Sequence, residues 1–430
     1  MKVAIVDAYY LPDQGYQSGP LFRQLVKQGH DVHVFTSCYY PRSMRTVYRE
    51  PFPLGDTPQD GGWVHRLPAR LLPRNMVSCP AATEAVLDFQ PDLTYVIYVT
   101  TLFGQELFRH RDLLPGALFG SFGEHSMQRL VALPSLPPFL RDLVLDTAFF
   151  IKKRPVCRRC IETSDAALFI TPDTFEYILS RTASGPRRAA LEKRCALYPL
   201  GFDPDLFHYD EAVRRARRAE LGFTDDDLVA VHACKIVPSK QLHDWIAIVE
   251  NVMRKVPALR GVLVGFRDRD AESDRLKRLI AASPFRERFT CLPFARREEL
   301  AAIYNMADIG VWFRETSVTI QEALGTGLYM LVNDNPALAH LLDEPATGRY
   351  SRDGDYPALE TLLTRVAEEF LAGSSLRGSA ARAARAAASR ERLGYDRLAG
   401  RLVAAAQDRA NAVAHIESGN AWGSYREVRR

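Results

Sequence analysis

Twice along this chain, short runs of β-branched and aliphatic residues alternate with segments of helical periodicity. That alternation restricts the fold more than any other feature. Strands joined through helices pair in parallel, and a parallel sheet is covered on both faces. Residues 2–7, 31–37, 93–99, 117–122, 167–171 and 196–200 read as strands, with helical patterns between several of them, as at 20–28 and 103–109. The pattern pauses at GFDPDLFHYD, residues 201–210, where Gly, Pro and Asp mark a turn-rich link. It restarts after a basic helix at 212–221. Residues 228–235, 261–265, 289–294, 309–313 and 329–334 form a second strand set, with helices at 242–256 and 296–306 among them. The expected fold class is therefore α/β, with two doubly wound domains at 1–205 and 206–392. Residues 374–392 are rich in Ala and Arg with few apolar anchors, and read as a solvated helix. Tyr395, Leu398 and Leu402 recur at helical spacing, so 393–416 reads as a last helix that can pack on either domain, the N-terminal one included. Residues 417–430 lack periodicity and read as a flexible tail.

Bulk properties narrow the function classes. A chain of 430 residues suits two cores better than one, and 47% apolar residues can fill both. The 56 basic and 52 acidic residues leave a net charge of +4, too balanced to point to nucleic acid. No apolar run is long enough for a transmembrane helix, and MKVAIVDAYY has a strand pattern rather than that of a secretory leader. The seven cysteines, an odd number, suit a reducing cytoplasm. Cys157 and Cys160 form a CxxC with no second pair at zinc spacing, so they read as structural thiols, and no metal site is expected. Phe149, Phe150 and Ile151 precede Lys152, Lys153, Arg154, Arg158 and Arg159. Segment 149–159 suits peripheral contact with an anionic membrane at its inner face, or a helix with a core face and a solvated basic end.

The chemistry concentrates in VWFRETSVTIQEALGTG, residues 311–327. A strand end, a loop with an acid and hydroxyls, and a helix with a second acid follow one another. A helix opening at a strand end offers free N–H groups and a partial positive charge, which suit a phosphate. Glu315 in the loop and Glu322 a turn into the helix would then meet hydroxyls, and a nucleotide-sugar carries both features. Thr319 and Glu322 also scan as a capping box, which leaves a structural role open for Glu322. Lys235 and Lys240 frame KIVPSK after a strand and can converge on a diphosphate, neutralising charge on a leaving phosphate. They can equally be solvated loop lysines. A dinucleotide-dependent oxidoreductase is a weak rival, since AYYLPDQGYQSG after the first strand lacks GxGxxG.

The ordered set of segments resembles glycosyltransferase family 4, the retaining enzymes of the GT-B fold. The segments are the opening MKVAIVDAYYLPDQGYQSGPLFRQL, the link YPLGFDPDLF, KIVPSKQ, GVLVG, FARREELAAIYNMADIGVW and ETSVTIQEALGTG. The resemblance covers about residues 1–370 and implies two facing Rossmann-like domains with a cleft between them. It implies that Glu322 binds the donor ribose, that Glu315 contacts the transferred sugar, and that Lys235 and Lys240 hold the diphosphate. Thr316, Ser317 and Val318 would offer backbone N–H groups. Gly265 and the strand end from Phe294 to Arg296 would border the donor pocket. In the first domain, Gly15 would lie under the phosphate and His125 would face the sugar. The implied reaction moves a sugar from a UDP- or GDP-sugar to a hydroxyl on a glycan, a lipid-linked or a small-molecule acceptor. No cofactor is implied, and with no DxD-like pair at a phosphate loop the reaction is expected to be metal-independent. Two departures stand out. The acids Glu315 and Glu322 have six residues between them, one fewer than the family pattern, and Tyr16 follows Gly15 where the family has a second glycine. Other GT-B activities, a sugar-nucleotide epimerase or a phosphorylase, or a non-catalytic nucleotide-sugar or glycan binder, remain alternatives. Acceptor contacts are expected from 39–62 and 126–138.

Overall fold

The computed structural model describes residues 1–11, 16–44, 48–73, 76–124, 137–313, 317–352, 354–373 and 376–419. The chain divides into two compact units, one of Met1–Leu200 with the segment from Tyr395 onward, the other of Gly201–Gly394.

The first unit is built on an eight-stranded sheet in the order β10-β9-β8-β7-β1-β2-β4-β3. Its strands are β1 (Lys2–Asp7), β2 (Asp31–Ser37), β3 (Gly55–Gln59), β4 (Gly62–Leu67), β7 (Leu93–Ile97), β8 (Ala117–Phe122), β9 (Ala166–Phe169) and β10 (Cys195–Leu197), with a separate hairpin of β5 (Arg70–Leu72) and β6 (Met76–Ser78). All pairs are parallel except β3 with β4. Because side chains alternate along a strand, each central strand feeds two cores. Ala4 and Val6 pack with Cys157, Cys160 and Ile161 on one face. Val3 and Ile5 pack with Tyr395, Leu398 and Leu402 on the other. The helices Arg154–Thr163 and Tyr395–Gln407 thus cover opposite faces of the sheet. The second is fixed by Tyr198 Oη donating to the Leu398 carbonyl at 3.1 Å. Cys157 and Cys160 are fully buried, and burial pushes the Cys160 thiol up to about 12. One local expectation fails. Residues 103–109 form a short 3₁₀ turn, Gln105–Phe108, because Leu102 and Gly104 take positive φ and break the helical path. The segment 55–67 forms a hairpin, turned at Asp60 and Gly61 with φ of 47° and 88°.

The second unit has six parallel strands in the order β13-β12-β11-β14-β15-β16. They are β11 (Leu228–Ala233), β12 (Leu259–Phe266), β13 (Phe289–Pro293), β14 (Ile309–Val311), β15 (Tyr329–Asp334) and β16 (Gly348–Arg352). The same alternation applies: Leu228 and Ala230 face Trp245 and Val249, while Val229 and Val231 face Tyr304 and Trp312. The order of the parallel strands reverses between β1 and β7 in the first sheet and between β11 and β14 in the second. Ligands in such sheets bind outside the carboxyl ends of the strands at that reversal.

The helix Ser379–Leu393 is not solvated as its composition suggests. Arg382, Arg385, Ser389 and Leu393 are buried. Arg382 donates to the carbonyls of Tyr304 at 2.6 Å, Thr326 at 3.0 Å and Ala307, and Arg385 donates to Gly327 at 2.9 Å. These carbonyls end the helices Arg297–Met306 and Val318–Gly325, so the guanidinium groups satisfy orphan acceptors at the negative ends of two helix dipoles. Beside them Asp308, just before β14, accepts from Arg214 at 2.6 Å, Arg218 at 3.3 Å and the Val229 amide at 2.8 Å. Burial opposes its ionisation, but the two arginines and the amide outweigh burial and hold the carboxyl below its ordinary range. Removing a buried carboxylate from such a cluster leaves uncompensated charge. Asp308→Asn is expected to lower unfolding stability by roughly 3 kcal/mol, read from the midpoint of urea denaturation.

Candidate functional site

The Val318–Gly325 helix begins after β14, at the reversal point of the second sheet. Ser317 is its N-cap and accepts from the Thr319 amide at 3.4 Å. The cap therefore lies two residues before Thr319, and Glu322 falls beyond the capping box, in the body of the helix. Its side chain has no capping task. Glu322 is 3% exposed. Burial raises its carboxyl from the ordinary 4.5 to about 7, with Asp203 adding to the rise and Arg297 offsetting part of it. Arg297 Nε stands 3.5 Å from Glu322 Oε1 and its guanidinium lies 5.3 Å from the Phe207 ring centroid. A carboxylate kept close to neutrality in a dry site is poised to accept hydrogen bonds from hydroxyls.

The surrounding pieces come from the ends of neighbouring strands. Lys235 follows β11 and is exposed, and Lys240 closes the short turn Pro238–Lys240. Gly265 sits near the end of β12 with φ +123°, and a Cβ there would meet the Cys234 carbonyl at 2.0 Å. Only glycine lets β12 pass that close to the segment carrying Lys235. Phe294 follows β13, is 57% exposed, and has the Arg267 guanidinium 5.0 Å from its ring centroid. Arg296 caps the Arg297–Met306 helix, its amide donating to Glu299 at 3.0 Å, and its side chain is exposed. The inward neighbour Arg297, rather than Arg296, reaches Glu322. Sequence reasoning missed Arg297 and Asp203. Nothing local marks them, because their role depends on the packing of the 201–210 link against two helices. Glu315 and Thr316 lie outside the described residues, as do Gly15 and His125.

The first sheet has its own polar group at its reversal point. Asp7, at the end of β1, is buried, and burial raises its carboxyl despite hydrogen bonds from the Tyr9 amide and Ser18. Tyr98 follows β7 in the left-handed region at φ 52°, its amide donating to Ser121 at 3.1 Å. Neither residue stood out in the sequence, since an Asp at a strand end is common. Within 149–159, Phe149 turns into the core, edge-on to Tyr177 at 6.2 Å, Lys153 pairs with Glu124 at 2.9 Å, and Arg158 pairs with Glu162 at 3.0 Å. The exposed apolar face instead runs along the helix Pro138–Ala148 and the π-helical turn after it. Phe139 is 76%, Leu143 55% and Ile151 70% exposed, with Leu140, Val144 and Phe150 beside them.

No protein-family model matches the chain, and no curated protein sequence matches it. Solved structures do. The sucrose-phosphate synthase of Thermosynechococcus elongatus superposes with a TM-score of 0.64 at 17% identity, covering 96% of this chain and 99% of that one. The catalytic domain of starch synthase IV from Arabidopsis thaliana, bound to ADP and acarbose, gives 0.60 at 14% identity, with 96% and 99% covered. The Anabaena protein Alr3699/HepE in complex with UDP gives 0.59 at 13% identity, with 96% and 100% covered. At such identities the likeness is one of fold, and the fold is GT-B.

The raised carboxyl of Glu322 ties stability to pH. An acid whose folded pKa exceeds its unfolded one stabilises the protonated folded state, so stability falls as pH rises from about 4.5 to 7 and is level above. The full shift is worth roughly 3 kcal/mol. Glu322→Gln should abolish this slope: the variant gains on the parent by that order between pH 5 and pH 8, measured as unfolding free energy across pH. Parallel profiles for the two would show that Glu322 ionises normally.

Proposed function

We propose that the chain is a glycosyltransferase that moves a sugar from a nucleoside diphosphate donor to an acceptor hydroxyl, with retention at the anomeric carbon. The observation that carries this reading is Glu322, a carboxylate buried at the reversal point of the second sheet with its charge incompletely matched. Ribose hydroxyls donating to it would favour the ionised form and relieve that mismatch. Lys235, Lys240 and the amides at Ser317 and Val318 would take the diphosphate, with Thr316 adding its amide; the family resemblance implies a phosphate contact for Gly15 as well. Phe294 and Arg296 would border the base beside Gly265, and Glu315 and His125 would touch the transferred sugar.

In the reaction, the bond from the anomeric carbon to the diphosphate oxygen breaks and a bond to the acceptor oxygen forms. The acceptor proton passes to the departing phosphate. The developing charge on that phosphate would be met by the lysines and the helix amides, which act most strongly in a site that excludes water. With those cations in place, no metal is assigned to the step. The nucleotides UDP and ADP held by proteins of the same fold support a nucleotide-sugar donor.

Asp7 and Tyr98 would meet the acceptor in the first unit. The exposed face from Phe139 to Ile151, followed by Lys152 and Arg154, favours a lipid-linked acceptor reached at an anionic membrane surface, in the cytoplasm. Among the described residues no helix is long and apolar enough to cross a membrane, so such contact would be peripheral.

Glu322→Ala and Lys240→Ala are each expected to lower donor turnover roughly tenfold or more, followed as release of the nucleoside diphosphate. Turnover should be unchanged by a chelator. Unaltered rates in both variants would refute the site. Sedimentation with anionic liposomes at low salt should carry the protein down, and Phe139→Asp combined with Ile151→Asp should leave it in the supernatant. Equal partitioning of parent and double variant would remove the membrane role.

A further inference from the structure

A cavity of about 550 Å³ opens at the amino ends of the strands of the second sheet. Asp308, immediately before β14, forms part of its wall, whereas Glu322 and the lysines stand at the carboxyl ends. Five arginines line the cavity, among them Arg377, Arg382 and Arg385. Three carboxylates share the wall with them, Glu211, Asp225 and Asp308, so two positive charges are left over; Arg377 donates to the Asp225 carbonyl. Asp308 is already shared by Arg214 and Arg218, and Arg215 at the rim pairs with Glu211 at 2.9 Å. Arg382 and Arg385 are 4% and 7% exposed and bond only to carbonyls; among the described residues neither has a carboxylate within ion-pair distance. Burial, together with neighbouring arginines, lowers them to about 9 and about 10.

Pinning a helix needs the hydrogen bonds of these arginines but not their surplus charge, which costs stability when buried without a counter-charge. The same cavity receives the start of the Ser379–Leu393 helix. Gly378 is its N-cap, no side chain caps its first amides, and Gly378 and Ser379 line the wall. Guanidinium groups and open helix amides are both recognition elements for phosphate. The volume exceeds what a bare phosphate needs and falls in the range of small-molecule pockets. The wall also carries Ser379, whose hydroxyl suits a polyol, and Tyr209, whose hydroxyl donates to Glu211 and keeps its lone pairs for a polyol donor.

We infer that this cavity is a second ligand site, taking the phosphate group of a small phosphomonoester such as a hexose monophosphate, separate from the site of Glu322. The phosphate sits on Arg377, Arg385 and the first amides of the Ser379–Leu393 helix, and the sugar lies toward Tyr209.

Calorimetry on the full chain tests this with three probes: a hexose monophosphate, inorganic phosphate and the unphosphorylated hexose. The hexose monophosphate should bind at millimolar concentration or below, inorganic phosphate more weakly, and the hexose not at all. Arg377→Glu, at the rim where folding is least at risk, should weaken the monophosphate roughly tenfold, while Lys235→Ala leaves it unchanged. Inorganic phosphate binding as tightly as the monophosphate would reduce the site to a phosphate site and overturn the sugar assignment. No binding of either anion, or binding lost in Lys235→Ala and kept in Arg377→Glu, would overturn the site. Because Lys235 belongs to the donor reading and Arg377 does not, failure of one leaves the other standing.

Discussion

The second unit depends on how it buries charge near its short central strand β14. At the amino end, Asp308 is matched by Arg214 and Arg218 and ionises readily. At the carboxyl end, Glu322 is buried with, among the described residues, Arg297 as its partner at 3.5 Å, and is held near neutrality. One end of the strand is electrostatically satisfied and the other is not. Only the satisfied end contributes stability from its charges; the other carries a cost that a bound ligand can relieve. Such incomplete matching is where perturbed carboxyls and function coincide.

The sheet topology sets the segments that carry Lys235 and Glu322 after neighbouring strands of the second sheet. Lys235 follows β11 and Ser317 follows β14, and these two strands are neighbours although about eighty residues separate them. The close pass of β12 at Gly265 brings a third strand end to the same edge. A loop after one strand and a helix after its neighbour can then serve one ligand, with backbone amides, cations and a carboxylate from separate parts of the chain. The arginines of the Ser379–Leu393 helix secure this arrangement from beneath by bonding the carbonyl that ends the Glu322 helix.

Much of this architecture was legible in the residues. The buried strands β1, β2, β8 and β15 carry continuous apolar or β-branched runs, and their bounds follow from those runs. The edge strands β10 and β13 were legible too, but β3 and β16 were not. β3 reads GDTPQ and β16 reads GRYSR, and a polar edge strand with a proline or arginines lacks the apolar signature, although Asp60-Gly61 is a hairpin-turn signal. The helix after residue 378 misled for a related reason: arginine counts as polar in any periodicity, yet its stem is apolar and its donors can be satisfied by carbonyls inside the fold. At the candidate site, the acid and the lysines were visible as residue types in order. The burial of Glu322, its pairing with Arg297 and the repulsion from Asp203 were not, because they arise only when the 201–210 link folds against two helices.

A crystal structure of the chain with a bound nucleoside diphosphate tests the central claim most directly. The account predicts ribose hydroxyls on the Glu322 carboxylate and the diphosphate between Lys235, Lys240 and the amides at Ser317 and Val318. A nucleotide bound elsewhere, with Glu322 still facing only Arg297, would contradict it.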